Sequence, residues 1–379
     1  MNRRFPTITL FGLFAAAAVA ATPFRYPEEK RGAVRLQYVQ SIPVLTVGGS
    51  PEQIGMATGR MTKPAAEGLF GYFDDLLKRS RLDAAWPWLV RTSEGMLTRF
   101  PESYRIELEA GVKASGLPRD KVVVANCLWD IKKLGCSTLF VGPDRSATGQ
   151  PLMGRNFDFP TLGILQKYSL VIVTRPDGKH AFASVGFPGL VGVVSGMNDA
   201  GLCIATLDVK ATGDGSPPFD LSGTPLILTF RRVLEECTTV AEAEALLRSV
   251  KRTTLMNLAV CDAAGTGVVF ELTPKSVGVR KAEDGLCCCT NHFRTDELVT
   301  DKCCDRFEAL SEAKNLAKLG LKDVQQRLHA ANQGAGTLQT MIFEPATRTL
   351  HLAIGEGPTT AKPLVKLDLA PLFVAKAGP

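Results

Sequence analysis

The chain has 379 residues and a formal charge of +6, with 44 Lys and Arg against 38 Asp and Glu. Length alone allows a large core and two or three domains, but no Pro/Gly/Ser linker divides the chain, so one large α/β domain is expected. Basic residues are scattered rather than clustered, which argues against a nucleic-acid-binding stripe and predicts no nucleic-acid partner.

Met1 to Ala21 begin with Arg3 and Arg4, continue as an apolar run from Ile8, and reach Ala18-Val19-Ala20 near the end. This is the pattern of a secretory signal peptide, and the run is too short to favour a spanning helix. The expectation is an exported protein, periplasmic or extracellular, with a mature charge two units lower. An exported chain meets an oxidising compartment, so the ten cysteines invite pairing. Their spacing fits no zinc module, and no metal or other cofactor is expected. Several read instead as small buried hydrophobes in strands.

In chain order, Ile42 to Val47 reads as a strand. Ser50-Pro51-Glu52-Gln53 then supplies an N-cap, a proline at the first helical position and a glutamine that closes a capping box. Leu69, Phe70, Phe73, Leu76 and Leu77 share one face of the helix that follows. Further helical segments start near Asp83, Glu102 and Asp120. From Cys136 the pattern changes to short apolar runs separated by turn signals: 136–142, 151–157, 168–174, 180–185, 190–195 and 202–208. These read as consecutive antiparallel strands. Two helices follow the loop Ala211 to Gly223, the second capped by Thr239 with Glu242. Strands are expected at 255–261, 267–272, 277–281 and 286–290, helices near 301–316 and 321–331, and a last hairpin pairing 338–343 with 349–354. The order suits two antiparallel sheets packed together with helices outside.

The chemistry centres on Leu134-Gly135-Cys136-Ser137 and Gly154-Arg155-Asn156-Phe157-Asp158. Counting outward from the turn at Asp144 to Gly149 sets Cys136 opposite about Phe157. Arg155 and Asp158 then lie beside the cysteine, a guanidinium to lower the thiol pKa and a carboxylate to hold a neighbouring cation. A base is harder to find, because none of His180, His292, His329 and His351 has a local signature tying it to Cys136. A freed α-amine on Cys136 would serve. Its pKa of about 7.7 to 8.0, against about 8.5 for a thiol, lets it take the thiol proton near neutral pH. Asp158 would position that amine, and Gly135 would give the thiol access to the preceding carbonyl. Cys136 as an ordinary strand cysteine is the competing reading.

The segments around Cys136 and Arg155, together with Gly196-Met197-Asn198-Asp199-Ala200-Gly201-Leu202, Thr290-Asn291-His292-Phe293 and Asp305-Arg306-Phe307, resemble the N-terminal-nucleophile hydrolases of the choloylglycine hydrolase superfamily. The branch most alike is that of acyl-CoA:6-aminopenicillanate acyltransferase and acid ceramidase-like amidases. The segment Gly49-Ser50-Pro51 with Gly55 and Gly59 is similar to the family's propeptide, although Thr58 stands where relatives often carry histidine. The resemblance implies an α+β fold, a four-layer αββα sandwich of two antiparallel sheets with a helical N-terminal arm. It implies cleavage at Gly135-Cys136 into an α-chain, residues 22–135, that stays bound to a catalytic β-chain, residues 136–379. It also implies roles: Cys136 the nucleophile, Arg155 beside the thiolate, Asp158 orienting the amine. Asn198 through its backbone N–H and Asn291 through its side chain would donate to the oxyanion, and Arg306 would stabilise charge. Read without the resemblance, Asn198 is a turn residue and Arg306 a surface arginine on a helix. The expected activity is hydrolysis of a linear amide in a small N-acyl substrate, lipid-like ones included. Acyl transfer to an amine and a non-catalytic binding protein on the same fold are the alternatives.

Overall fold

The computed structural model describes residues 22–79, 83–131 and 135–374. The expected leader, Met1 to Ala21, and Leu134 before the expected cut lie outside the described residues. Three strands open the chain: β1 (Glu29–Arg31), β2 (Val34–Val39) and β3 (Ile42–Gly49). A helical arm follows, made of α1 (Pro51–Arg79), α2 (Trp86–Leu97), α3 (Glu102–Ser115) and α4 (Arg119–Ile131). Six strands come next: β4 (Gly135–Val141), β5 (Leu152–Asp158), β6 (Leu170–Pro176), β7 (Phe182–Gly186), β8 (Ser195–Asn198) and β9 (Cys203–Asp208). After α5 (Leu226–Glu236) and α6 (Val240–Ser249) run β10 (Met256–Cys261), β11 (Gly267–Leu272), β12 (Val277–Lys281) and β13 (Leu286–Cys289). The chain closes with α7 (Asp305–Ser311), α8 (Leu321–Ala330), β14 (Thr337–Glu344), β15 (Thr349–Ile354), β16 (Val365–Asp368) and α9 (Ala370–Phe373).

From β3 to β15 the expected order of blocks is the observed one, while β1, β2, β16 and α9 lie outside that expectation; local chemistry explains the agreement. Ser50 and Gln53 exchange the two hydrogen bonds of a capping box at the start of α1, as Thr239 and Glu242 do before α6. The helices of the arm cross closely: a Cβ on Gly55 would stand 2.0 Å from the Glu107 carbonyl oxygen, and one on Gly59 2.4 Å from that of Gly111. Only glycine permits that approach of α1 to α3.

Side-chain alternation reveals the layers. On β9, Ile204 packs with Phe230, Val233 and Leu234 of α5, whereas Cys203, Ala205 and Leu207 face the other way. That second face meets Phe140, Met153, Phe157, Met341 and Phe343 of β4, β5 and β14. The opposite side of those strands, through Leu139, Leu152 and Ile342, is covered by Leu310, Val324 and Leu328 of α7 and α8. The result is helix, sheet, sheet, helix: an αββα sandwich, with the main core between the sheets.

The pairing is richer than consecutive antiparallel strands. The larger sheet runs β1-β2-β3-β6-β7-β8-β9-β10-β11-β12, and the smaller β13-β4-β5-β14-β15-β16. β5 does not pair with β6, because both of its edges are already taken by β4 and β14. The proline at 160 and the 3-10 turn Leu165–Tyr168 carry the chain across to the other sheet instead. There β6 pairs with β3 in parallel, alone among these ladders, and the helical arm supplies the long crossover that a parallel pair requires. The strand expected at 190–195 begins at Ser195 instead. All ten cysteines are free thiols, nine of them buried and Cys303 exposed. Among the described residues no helix is long and apolar enough to cross a membrane.

Candidate active site

The hairpin of β4 and β5 has the register that counting from its turn predicts: Cys136 faces Phe157, Gly135 faces Asp158 and Thr138 faces Arg155. Alternation then sorts the chemistry onto two faces. Cys136, Thr138, Arg155 and Phe157 point between the sheets. Gly135, Asn156 and Asp158 point toward α7 and α8, where Asn156 Nδ2 donates to the Leu328 carbonyl at 2.7 Å. Asp158 therefore lies level with Gly135 on the helix side of the sheet, and Arg155 shares the face of the thiol.

The backbone of Cys136 is held on both sides. Its N–H donates to Asn291 Oδ1 at 2.9 Å, and its carbonyl accepts from Arg306 Nη1 at 2.7 Å. Arg306 Nη2 also donates to Asn291 Oδ1, at 2.8 Å, which ties the two clamps together. Asn291 Nδ2 donates to the Asp208 carbonyl at 2.8 Å, anchoring the group to β9 of the other sheet. Asp158 accepts from Thr337 Oγ1 at 2.5 Å and from Gln333 Nε2 at 2.9 Å, and its Oδ2 lies 3.9 Å from Arg306 Nη1. Gln333 also covers Gly135: a Cβ there would stand 2.0 Å from its Nε2. Arg306, which its helical position alone makes a surface residue, instead reaches Cys136, Asn291 and Asp158.

Cys136 and Arg155 are both buried. Burial pushes the thiol up to about 11, with the charges of Asp158 and Asp208 adding to it and Arg155 opposing. In the uncut chain the thiol is accordingly protonated at neutral pH. Burial likewise raises the Asp158 carboxyl, against the hydrogen bonds of Thr337 and Gln333 and the charges of Arg306 and Arg155.

Residues 145–358, over half of the chain, match the model of the acyl-coenzyme A:6-aminopenicillanic acid acyl-transferase family. The chain belongs to this family. The family match contains Arg155, Asp158, Asn198, Asn291 and Arg306 and begins downstream of Cys136. An uncharacterized protein of Archaeoglobus fulgidus is 32% identical over 156 residues, 40% of this chain, and the match spans only 26% of that relative's length. Three solved structures are similar at low identity. A mutant conjugated bile acid hydrolase from Clostridium perfringens has 15% identity and a TM-score of 0.46, over 64% of this chain and 95% of its own. An N-acylethanolamine-hydrolyzing acid amidase ortholog from Caenorhabditis elegans has 15% and 0.43, over 56% and 93%. Penicillin V acylase from Agrobacterium tumefaciens has 14% and 0.43, over 63% and 93%.

One expected family residue is elsewhere. Asn198 cannot offer its backbone N–H to an oxyanion at Cys136, because that N–H donates to the Leu202 carbonyl at 3.0 Å within the β8–β9 turn. Its side chain points to the outer helix layer, where Nδ2 donates to the carbonyls of Leu234 and Cys237 at 2.9 and 2.8 Å. Asn198 holds the end of α5 to the turn, a backbone role typical of asparagine in such a segment. The residue that reading by motif missed is Asp208, buried at the end of β9, whose charge acts on Cys136 and whose carbonyl holds Asn291. Its only signal in the sequence is a carboxylate closing an apolar strand. None of the four histidines is hydrogen-bonded to Cys136: His180 contacts Asp199, His329 contacts Thr360 and His351 contacts Glu344. His292 adjoins the site and is lowered first by burial and then by Arg306 and Arg294. Of the arm aromatics, Trp88 stands 55% exposed.

Proposed function

We propose that the chain is an exported precursor that cuts itself before Cys136 and then hydrolyses a linear amide bond of a small N-acyl substrate. The observation that carries this reading is the double clamp on Cys136, its N–H on Asn291 and its carbonyl on Arg306, with Asp158 set against Gly135. β13 ends at Cys289, opposite Thr138, so side chains rather than a strand take the backbone of Cys136 on that edge.

In the processing step Cys136 Sγ attacks the Gly135 carbonyl carbon, and the bond from that carbon to the Cys136 nitrogen breaks. The nitrogen takes the thiol proton and becomes an amine, leaving Gly135 as a thioester. Water hydrolyses the thioester, freeing the Gly135 carboxylate and the thiol. Asp158, level with Gly135, would hold the new amine and the ammonium it becomes on taking the thiol proton in turnover. In turnover the amine takes the thiol proton, and Sγ attacks the substrate carbonyl. The leaving amine departs with that proton, and water releases the acid. Asn291 holds the Cys136 N–H through Oδ1 while its Nδ2 is engaged by the Asp208 carbonyl, so it fixes the backbone of the nucleophile and is not the oxyanion donor that the resemblance implied. Arg306 offsets the charge on the same side.

Membership of an acyl-transferase family supports a second reading for the last step, in which an amine rather than water takes the acyl group. Incubating the purified protein with an N-acyl amino acid, with and without a second amine, separates the two by product. For self-processing the test is a gel: two bands, the smaller partner beginning at Cys136 by N-terminal sequencing, with Cys136→Ala remaining one full-length band. Wild type that stays full-length beside an identical Cys136→Ala would sink the reading. Export is tested by fractionating cells that express the full chain, the mature protein lacking Met1 to Ala21.

A further inference from the structure

Arg155 is a cation that no carboxylate touches among the described residues. Its side chain is fully buried between the sheets, and among the described residues it forms no ion pair. Its guanidinium lies 5.5 Å over the ring of Phe157. Nε donates to Ser195 Oγ at 3.1 Å, whereas Nη1 and Nη2 have no hydrogen-bond partner. An uncompensated charge in such a place costs several kcal/mol, and folds retain it where an anion arrives during function. Cys136 is diagonal to Arg155 across the β4–β5 ladder and points to the same face, so the anion that forms nearest is its thiolate.

Ser195 comes from the other sheet. It opens β8, pairs with Ala205 of β9, and is itself fully buried. Among the described residues its hydroxyl is the one hydrogen-bonding group that fixes how the guanidinium turns, since stacking on Phe157 leaves rotation about the ring normal open. We infer that Ser195 is a positioning residue: by holding Nε of Arg155 it aims Nη1 and Nη2 at the thiolate of Cys136. A neutral hydroxyl does this without neutralising the arginine, which a carboxylate at 195 would. The inference rests on Cys136 being the reacting group of the proposed function.

The test reads the thiol directly. The rate of iodoacetamide alkylation at Cys136, followed by mass spectrometry of the peptide that carries it, is measured against pH in wild type, Ser195→Ala, Ser195→Thr, Arg155→Gln and the double variant Ser195→Ala with Arg155→Gln. Ser195→Ala is expected to lower the alkylation rate at fixed pH about fivefold, the worth of one hydrogen bond, and to move the profile to higher pH. Ser195→Thr, which keeps the hydroxyl, should restore the wild-type profile. In the Arg155→Gln background Ser195→Ala should change nothing further. An unchanged profile in Ser195→Ala, or an equal shift with and without Arg155, overturns the assignment; should the alanine variant not fold, Ser195→Cys, a weaker acceptor of the same size, replaces it and must fall between. Alkylation needs neither self-cleavage nor a substrate, so a chain that fails to process still answers this question.

Discussion

Asp158 and Cys136 sit side by side on paired strands yet on opposite faces of one sheet, and that division assigns their work. Because burial raises the Asp158 carboxyl, the folded chain keeps a proton where the unfolded chain has lost it. By linkage this favours folding below the unfolded pKa of about 4, and stability falls as pH rises from there toward the folded value. Asparagine carries no such charge. The urea midpoint of Asp158→Asn relative to wild type should therefore increase between about pH 4 and neutrality, while its processing slows; a midpoint difference that stays flat with pH would refute the buried, raised carboxyl. Asn291→Ala removes the acceptor of the Cys136 N–H and one of the two partners of Arg306 there, and should slow processing roughly tenfold, on the scale of one or two hydrogen bonds, with the fold intact by circular dichroism. At this scale the sequence was partly legible. Arg155 and Asp158 follow from counting the hairpin, since β-strand register is strict once one turn is known. Arg306 and Asn291 are far away in the chain and came only from resemblance. Asn198 misled because its motif is a turn, and turn motifs recur for backbone reasons whether or not they face a site.

At the scale of elements, what could be read were the features that local chemistry fixes: capping boxes, a change of hydrophobic period at Cys136, and hairpin turns. What could not be read was which sheet each strand joins. β4 and β5 leave the larger sheet to the strands after them, and β13 crosses back to pair with β4, because edges are allotted by tertiary packing rather than by any residue in the strand. The parallel pair of β3 and β6 has the same origin. The crossover between them gives a test. Gly55→Ala sets a methyl 2.0 Å from the Glu107 carbonyl oxygen, where α1 meets α3. Overpacking of this kind costs about 1–3 kcal/mol. The expected outcome is a melting temperature lower by roughly 2–4 °C in calorimetry. An unchanged melting temperature would mean that the arm helices slide apart freely.

For the molecule as a whole, the question is what would keep the arm on the rest of the fold in the cleaved form proposed above. α5 is gripped by the arm at both ends. Asp130 of α4 accepts from the Leu226 N–H at 2.8 Å at its start. Farther along, Arg231 makes paired hydrogen bonds of 2.8 and 2.7 Å to Glu107 of α3, and Nε donates to Glu235 at 2.7 Å. Tyr104 of α3 donates to Glu235 at 2.8 Å, and its ring lies 4.4 Å beneath the Arg231 guanidinium. Arg231, Glu107 and Glu235 are all buried. Such a network adds little net stability over an apolar contact, but removing one partner strands the other, at about 3–5 kcal/mol. In the uncut chain the covalent link shares that loss; in the proposed cleaved form it would fall on the interface, which the β3–β6 ladder also holds. Glu107→Ala should therefore leave the uncut Cys136→Ala chain folded, yet release the arm from processed protein at lower urea, seen as two species by size-exclusion chromatography. Glu107→Gln, which keeps hydrogen-bonding atoms but not the charge, should lie between. Co-elution of both chains from Glu107→Ala at wild-type urea concentrations would show that apolar packing of the arm suffices without the buried charges.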